Sequence, residues 1–201
     1  MTFRMFGTTR FLKGMTIMFK HEKVLWITRT AFLTGLTVVS QFMAMQIPVP
    51  IPMGTQIITG SIVNLMLIIA VMTCGLPTGL TVSAFTPVLP TLIGFGPVWP
   101  VVPFIAAGNM VLVTAWHFIG NRKIVHKYVS YGLAMIAGAV AKFLVLYLGI
   151  VKIAVPFILG LPEGNVLSIM FSYPQLVTAG VGGGCAVVLL PLLLKAVRQQ
   201  S

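Results

Sequence analysis

The chain contains no aspartate and only two glutamates, Glu22 and Glu163, against 13 lysines and arginines. Hydrolysis by paired carboxylates, carboxylate metal sites and the acidic proton relays of pumps are therefore nearly excluded. The two cysteines, Cys74 and Cys185, stand inside apolar runs without a CxxC or His-flanked pattern, so we expect two buried small side chains and no metal or disulfide. The sequence also lacks a phosphate-binding loop with its lysine, so ATP hydrolysis by this chain is not expected.

Charge of either sign is scarce, because only 7% of the residues are charged. A soluble domain carries about 25% charged residues. Apolar residues make up 58% of the chain and the mean hydropathy is +1.04. This composition predicts an all-α integral membrane protein that lies in the lipid bilayer. In such a chain the net charge of +11 favours cytoplasmic loops over a nucleic-acid partner.

The apolar residues divide into stretches of the length that crosses a bilayer, which is about 20 residues for a helix. Six such stretches follow one another, at 24–45, 57–74, 76–95, 99 or 100 to 119, 131–154 and 172–197. They predict one compact bundle of six transmembrane helices over residues 24–197. The sequence leaves no room for a second, soluble domain.

Lysine and arginine indicate how this bundle is oriented. They cluster before and inside the first span, between the fourth and fifth spans, and at the end of the sixth: Arg4, Arg10, Lys13, Lys20, Lys23 and Arg29; Arg122, Lys123 and Lys127; Lys195 and Arg198. The connections between spans one and two, three and four, and five and six hold at most Lys152, which Glu163 offsets. Six spans with both termini in the cytoplasm place all three basic segments on the cytoplasmic side. We therefore expect a multi-pass cell-membrane protein with this topology.

Residues 1–23 form a separate basic segment in this interpretation. Aromatic and Met side chains alternate with its cations, as in an amphipathic segment on a membrane surface: Phe3, Phe6, Phe11, Met15 and Phe19. Met15 or Met18 is an alternative start of the chain. The apolar run that follows has no small-x-small cleavage site, so we expect it to remain as the first span.

Four polar residues inside the spans are the candidates for a binding site: Asn64, Asn109, Lys142 and Gln175. A lysine at the centre of a bilayer costs about 2.5–3.5 kcal/mol on insertion scales, so Lys142 needs a cavity or a partner. No acid inside a span can pair with it. We expect the ligand to supply the negative charge, and contact with backbone carbonyls or snorkelling is the alternative. For the two asparagines the alternative is an ordinary hydrogen bond between helices.

The connections on the outer side are rich in Pro and Gly, nearly uncharged and stiff, as a lid over a pocket would be. Trp99, in the second of them, is predicted to close the pocket as an apolar lid or stacking face, with packing at the membrane interface as the alternative. Ala31 and Gly35 in the first span lie one helical turn apart. Such spacing allows close approach by another helix, either in the bundle or in a partner.

Taken together, these features resemble the substrate-binding (S) components of the energy-coupling factor (ECF) vitamin transporters of prokaryotes. The resemblance covers about residues 24–197 and rests on a combination of short segments: Ala31-xxx-Gly35, Gly60-Ser-Ile-Val-Asn64-Leu, Thr86-Pro-Val-Leu-Pro90, Pro103-Phe-Ile-Ala-Ala-Gly108-Asn109 and Phe171-Ser-Tyr-Pro-Gln-Leu-Val-Thr178-Ala-Gly180. In that family the small residues of span one dock onto a T component. This chain has Gly35 where the usual AxxxA motif has its second alanine.

The resemblance implies a function and a set of partners. An S component without enzymatic activity captures a water-soluble vitamin or related micronutrient at the outer face of the plasma membrane. It then joins a transmembrane T component and two ATPase subunits, which drive uptake. No signature in the sequence selects one vitamin. A stand-alone facilitator or secondary transporter and a structural or assembly subunit are the alternative functions, and no cofactor or metal is expected for any of them.

Overall fold

The computed structural model describes residues 5–47, 49, 53–122, 126–162 and 164–198. Side chains are described from residue 22 to residue 196 within these ranges. Every regular element in these ranges is helical. Arg4, Lys123, Glu163 and the prolines at 48, 50 and 52 lie outside the described residues, as do the side chains of the predicted amphipathic segment.

The long helices run alternately up and down along the chain. They are α1 (Met5–Met45), α2 (Gly54–Cys74), α3 (Leu76–Ile93), α4 (Val102–Ala115), α5 (Lys127–Leu146) and α7 (Pro174–Arg198). Shorter elements extend or connect them: a 3₁₀ turn at Trp99–Val101, π-helical extensions of α4 at Trp116–Gly120 and of α5 at Tyr147–Ile158, and α6 at Val166–Met170. One end of the bundle carries the connections before α2, α4 and α7, and we call it the cavity end. The opposite end is the basic end.

Five helical stretches of the described chain are long and apolar enough to cross a membrane: Gly54–Cys74, Leu76–Ile93, Trp99–Gly120, Lys127–Ile158 and Val166–Ala196. They correspond to the second to sixth predicted spans and confirm a multi-pass, all-helical architecture. The first predicted span is the second half of α1, where Arg29, Gln41 and several threonines lower the hydropathy. This half packs against α2 and α3, and the Oγ1 atoms of Thr30 and Thr78 lie 3.2 Å apart.

Two glycines make the sharp reversals at either end of α3. Gly75 alone separates α2 from α3 and has a φ of 89°. Glycine adopts this backbone conformation readily, whereas a residue with a Cβ atom would be strained in it. Gly94 ends α3 with a φ of 95° and donates its N–H to the carbonyl of Pro90. Pro77 lies in the first turn of α3, where a missing N–H is tolerated. These turns hold α2, α3 and α4 side by side.

Two apolar clusters fill the bundle. The larger packs around Leu67, Leu112 and Trp116, where α2, α4, α5 and α7 meet. The smaller lies toward the cavity end, around Leu146, Ile150 and Phe171. The space between the helices at the cavity end that neither cluster fills contains the candidate site.

Glycine lets α2 and α7 approach each other closely. A Cβ atom on Gly182 would lie 2.6 Å from the carbonyl oxygen of Ser61 and 2.8 Å from the Cβ atom of Asn64. A Cβ atom on Gly60 would lie 2.9 Å from the Cγ2 atom of Thr178. Because one of these neighbours is backbone, a side chain at position 182 separates the two helices. The small residues of α7 therefore set the distance between α7 and Asn64.

We predict that Gly182→Ala destabilises the protein by about 1–3 kcal/mol, since the added methyl group overpacks the contact between α2 and α7. Gly184→Ala is the matched control, because a Cβ atom at Gly184 meets nothing within 4 Å. Both changes raise helix propensity equally, so the difference in unfolding free energy in detergent isolates the close contact. Equal stability of the two variants would contradict this account of the contact between α2 and α7.

Candidate functional site

A cavity of about 580 Å³ opens at the cavity end of the bundle. Its size lies in the range of about 300–1,000 Å³ that is usual for small-molecule sites. The walls are mostly apolar and come from α1 to α7, with Val63, Ile105, Leu146 and Phe171 among them. None of the described residues that line the cavity is acidic. A small number of amide, hydroxyl and amine groups therefore determines what the cavity can bind.

Lys142 contributes the positive charge of the cavity from the second half of α5. Its side chain is only 4% exposed. The Nζ atom donates hydrogen bonds to Oδ1 of Asn64 at 2.6 Å and to Oδ1 of Asn109 at 2.7 Å. The lysine is thus held by side chains of α2 and α4, and not by the backbone carbonyls of the alternative interpretation. An ammonium group has three N–H donors, and the third is bonded to none of the described residues.

Asn64 connects this lysine to α7. Its Nδ2 atom donates to Oγ1 of Thr178 at 3.3 Å, and Thr178 donates in turn to the carbonyl oxygen of Gln175 at 3.1 Å. The close contacts of Gly60 and Gly182 bring Thr178 within reach of Asn64. Asn64 is completely buried. Its two polar groups are both satisfied, which fixes the side chain and with it the position of Lys142.

Two glutamines converge near the opening of the cavity, on the carbonyl oxygen of Met170. Gln56 and Gln175 each donate an Nε2–H to this oxygen, at 3.1 Å in both cases. Met170 ends the short helix α6, so its carbonyl oxygen has no donor within that helix. The two side chains thereby tie α6 to the first turns of α2 and α7.

Three polar atoms around the cavity have no hydrogen-bond partner although they are buried: Oε1 of Gln41, Oε1 of Gln56 and Oγ1 of Thr59. A buried acceptor without a donor costs about 1–3 kcal/mol. Because all three residues line the cavity, a bound molecule with N–H or O–H groups would remove this cost. These three residues were not predicted from the sequence, although Gln41 and Gln56 are polar side chains near span ends, as Gln175 is.

The structure brings together most of the residues that the sequence singled out. Asn109, Lys142 and Gln175 line the cavity, and Asn64 lies directly behind Lys142. Trp99 does not belong to this group, since it is 54% exposed and absent from the lining. Trp99 begins the 3₁₀ turn in which Val101 is completely buried. Because residues two apart in such a turn point about 120° away from each other, the burial of Val101 leaves Trp99 on the outside. Phe95, Gly96 and Pro97 of the same connection line the cavity instead.

Ala31 and Gly35 lie on the exposed side of α1. A Cβ atom added to Gly35 would meet nothing within 4 Å. Phe32, Leu36 and Val39 of the same helix are exposed as well. This part of α1 therefore presents a surface with two small residues to the surroundings of the bundle.

The cysteines take no part in the site. Cys74 is half-buried and Cys185 is exposed, and both are free thiols. The expectation of two buried cysteines is thus wrong for Cys185, which lies on the outward side of α7. Within the described part of the chain no three His, Cys, Asp or Glu residues lie close enough to hold a metal ion.

The chain matches no protein-family model, no curated protein and no solved structure.

We predict that Asn109→Leu lowers the unfolding free energy by about 1–3 kcal/mol, because the buried ammonium group of Lys142 loses one of its two acceptors. In a Lys142→Met background the same change should cost at least about 1 kcal/mol less, because it then removes an amide whose oxygen has lost its donor. Unfolding of the four proteins of this cycle in detergent measures the difference. The hydrogen bond contributes nothing to stability if Asn109→Leu costs the same in both backgrounds.

Proposed function

We propose that this chain is the membrane-embedded substrate-binding subunit of an ECF-type importer for a water-soluble vitamin or related micronutrient. The observation that carries the proposal is the cavity in which Asn64 and Asn109 hold Lys142 with one N–H unused. A protein that only spans or supports a membrane has no need of a buried lysine, which is costly in a bilayer. A binding site uses it when the ligand is anionic. The chain acts by binding and carries out no reaction.

The proposed topology has six spans, with both termini in the cytoplasm of a prokaryotic cell. The second half of α1 is the first span in this proposal. Together with the five apolar stretches it gives six spans, and it completes the bundle beside α2 and α3. Arg122, Lys127 and Lys195 then lie at the basic end, which faces the cytoplasm by the positive-inside rule. The cavity end faces outward, where a scarce nutrient is met first.

The energy for uptake comes from partner subunits in this proposal. The sequence contains no ATP-binding loop, and the scarcity of acids leaves no carboxylate relay for protons or site for sodium. A T component and two ATPase subunits supply the missing function. The exposed surface of α1 around Ala31 and Gly35 is the proposed contact with the T component, since two small residues allow a helix to approach closely.

Uptake into proteoliposomes tests the proposal. A panel of radiolabelled water-soluble vitamins is offered to vesicles that hold this chain alone or together with a T component and both ATPases, with ATP inside. We expect one vitamin to accumulate only when all subunits and ATP are present. Lys142→Met should keep the fold, because it removes a charge from the bilayer, yet weaken binding of that vitamin by about 2 kcal/mol or more.

The other outcomes assign the alternative functions. Equilibration of a vitamin by this chain without ATPases would identify a stand-alone facilitator or secondary transporter. If no vitamin binds to the purified chain and the ATPase complex still needs it to assemble, a structural subunit is indicated. Either result overturns the proposal.

We predict that leucine at both Ala31 and Gly35 abolishes complex formation with the T component and ATPases, while binding of the vitamin is unchanged. Gly180→Leu with Gly184→Leu is the matched control. These glycines have the same spacing on α7, and Cβ atoms at both meet nothing within 4 Å. Co-purification of the complex is the measurement. The assignment of α1 fails if the α1 pair has no effect or if both pairs disrupt the complex equally.

A further inference from the structure

The polar groups of the cavity differ in kind between its two ends. We propose that the cavity selects a ligand with an anionic group at one end, an uncharged group with N–H donors at the other end, and an apolar middle. This inference rests on the proposed function and specifies the chemical class of its substrate. It follows from which atoms remain without a partner at each end of the cavity.

At the end of the cavity formed by Lys142 and Asn109, which we call the deep end, N–H donors remain without an acceptor. Both asparagine oxygens are turned to Nζ of Lys142, so the Nδ2 group of Asn109 points elsewhere, and it donates to none of the described residues. Asn109 and Lys142 both line the cavity. An amide N–H and an ammonium N–H side by side fit a carboxylate, whose oxygens accept several hydrogen bonds and carry the missing negative charge.

At the end of the cavity near its opening, where the glutamines lie, oxygen acceptors remain without a donor. The orientation of Gln56 is fixed, because only an N–H can donate to the carbonyl oxygen of Met170. Its Oε1 atom is therefore the unpaired one, and the Oε1 atom of Gln41 is unpaired beside the same cavity. The Nε2 group of Gln175 bonds to the same carbonyl oxygen, and no described residue donates to its Oε1 atom. Three amide oxygens that lack donors fit a group with several N–H bonds.

The two ends are separated by a distance that a small molecule spans. Gln56 precedes Asn64, the partner of Lys142, by eight residues on α2, and helical rise makes this about 12 Å. Thr59, whose buried hydroxyl has no partner, follows Gln56 by three residues on α2 and adds a polar group near the glutamine end. Beyond Thr59 the wall includes Gly60, Val63 and Leu146, which offer no polar side-chain group. We therefore expect the part of the ligand that lies between Thr59 and Lys142 to be apolar.

The charge of the cavity decides between an uncharged and a cationic donor group. The described lining contains Lys142 but no carboxylate. A guanidinium or ammonium group at the glutamines would be buried without a counter-charge, which is costly in an apolar environment. An uncharged ureido, lactam or primary amide group offers the same N–H donors without this cost. The ligand class is therefore a monoanion with an uncharged N–H group.

Four matched compounds test this specificity on the purified chain. The compound 6-ureidohexanoate has both predicted ends, octanoate lacks the N–H group, 6-ureidohexanamide lacks the charge, and 6-guanidinohexanoate replaces the uncharged donors by a cation. We expect saturable binding of 6-ureidohexanoate at millimolar concentration, measured by microscale thermophoresis in nanodiscs. Each of the other three should bind at least about tenfold more weakly.

Two variants assign each preference to its end of the cavity. In the Lys142→Met variant, 6-ureidohexanoate and 6-ureidohexanamide should bind with equal affinity, because the charge that favours the acid is gone. Gln41→Leu removes an acceptor that bonds to none of the described residues, and it should reduce the preference for the ureido acid over octanoate. Gly184→Ala, outside the cavity, is the control that should alter neither preference.

The outcomes separate this inference from the proposed function. Binding of octanoate, the amide or the guanidino compound as strong as that of the ureido acid, or no saturable binding of the ureido acid, overturns the two-ended specificity. The vitamin uptake assay uses none of these compounds and decides independently whether the chain serves an importer.

Discussion

The structure depends on keeping a lysine in the middle of a membrane protein that has almost no acids. Lys142 is nearly completely buried, and no described residue near it carries a negative charge. Two asparagine oxygens replace water around its ammonium group, one from α2 and one from α4. These neutral dipoles compensate for part of the lost hydration and leave the charge in place. In the proposed function, this charge, which is stabilised but not neutralised, is the group that attracts an anionic ligand into the cavity.

The packing of the helices serves this arrangement. Glycines at positions 60 and 182 let α2 and α7 lie against each other, so that Thr178 accepts a hydrogen bond from the amide group of Asn64 while the oxygen of this amide accepts one from Lys142. Gly108 has a similar role between α4 and α5, where a Cβ atom would lie 2.9 Å from Cγ of Leu146. Because the polar groups are fixed by close-packed helices, the cavity is present without a ligand, and binding of a ligand as proposed would lose little conformational entropy.

The sequence predicted the helices well because hydropathy and the helix-ending residues are local signals. Gly75 and Pro77 place the boundary between α2 and α3 almost to the residue. The π-helical end of α5 and the length of α1 were not predicted, since no local pattern distinguishes a π-helical turn from an α-helical one or shows that a basic segment continues into a span. For the site, polarity within an apolar span singled out Lys142 and the two asparagines. Trp99 was predicted at the pocket but lies outside its lining, and Gln41 and Gln56 line the cavity without having been predicted. The rotation of each helix end, which tertiary packing sets, decides which side chains face the cavity.

Native mass spectrometry of the protein released from nanodiscs tests the central claim most directly, namely that Lys142 is the counter-charge of a bound anion. The account predicts that the wild-type chain retains a small molecule containing one acidic group, and that Lys142→Met, folded to the same extent, is released without it. A wild-type chain that never carries such a molecule, or a Lys142→Met variant that retains it at equal occupancy, would contradict the account.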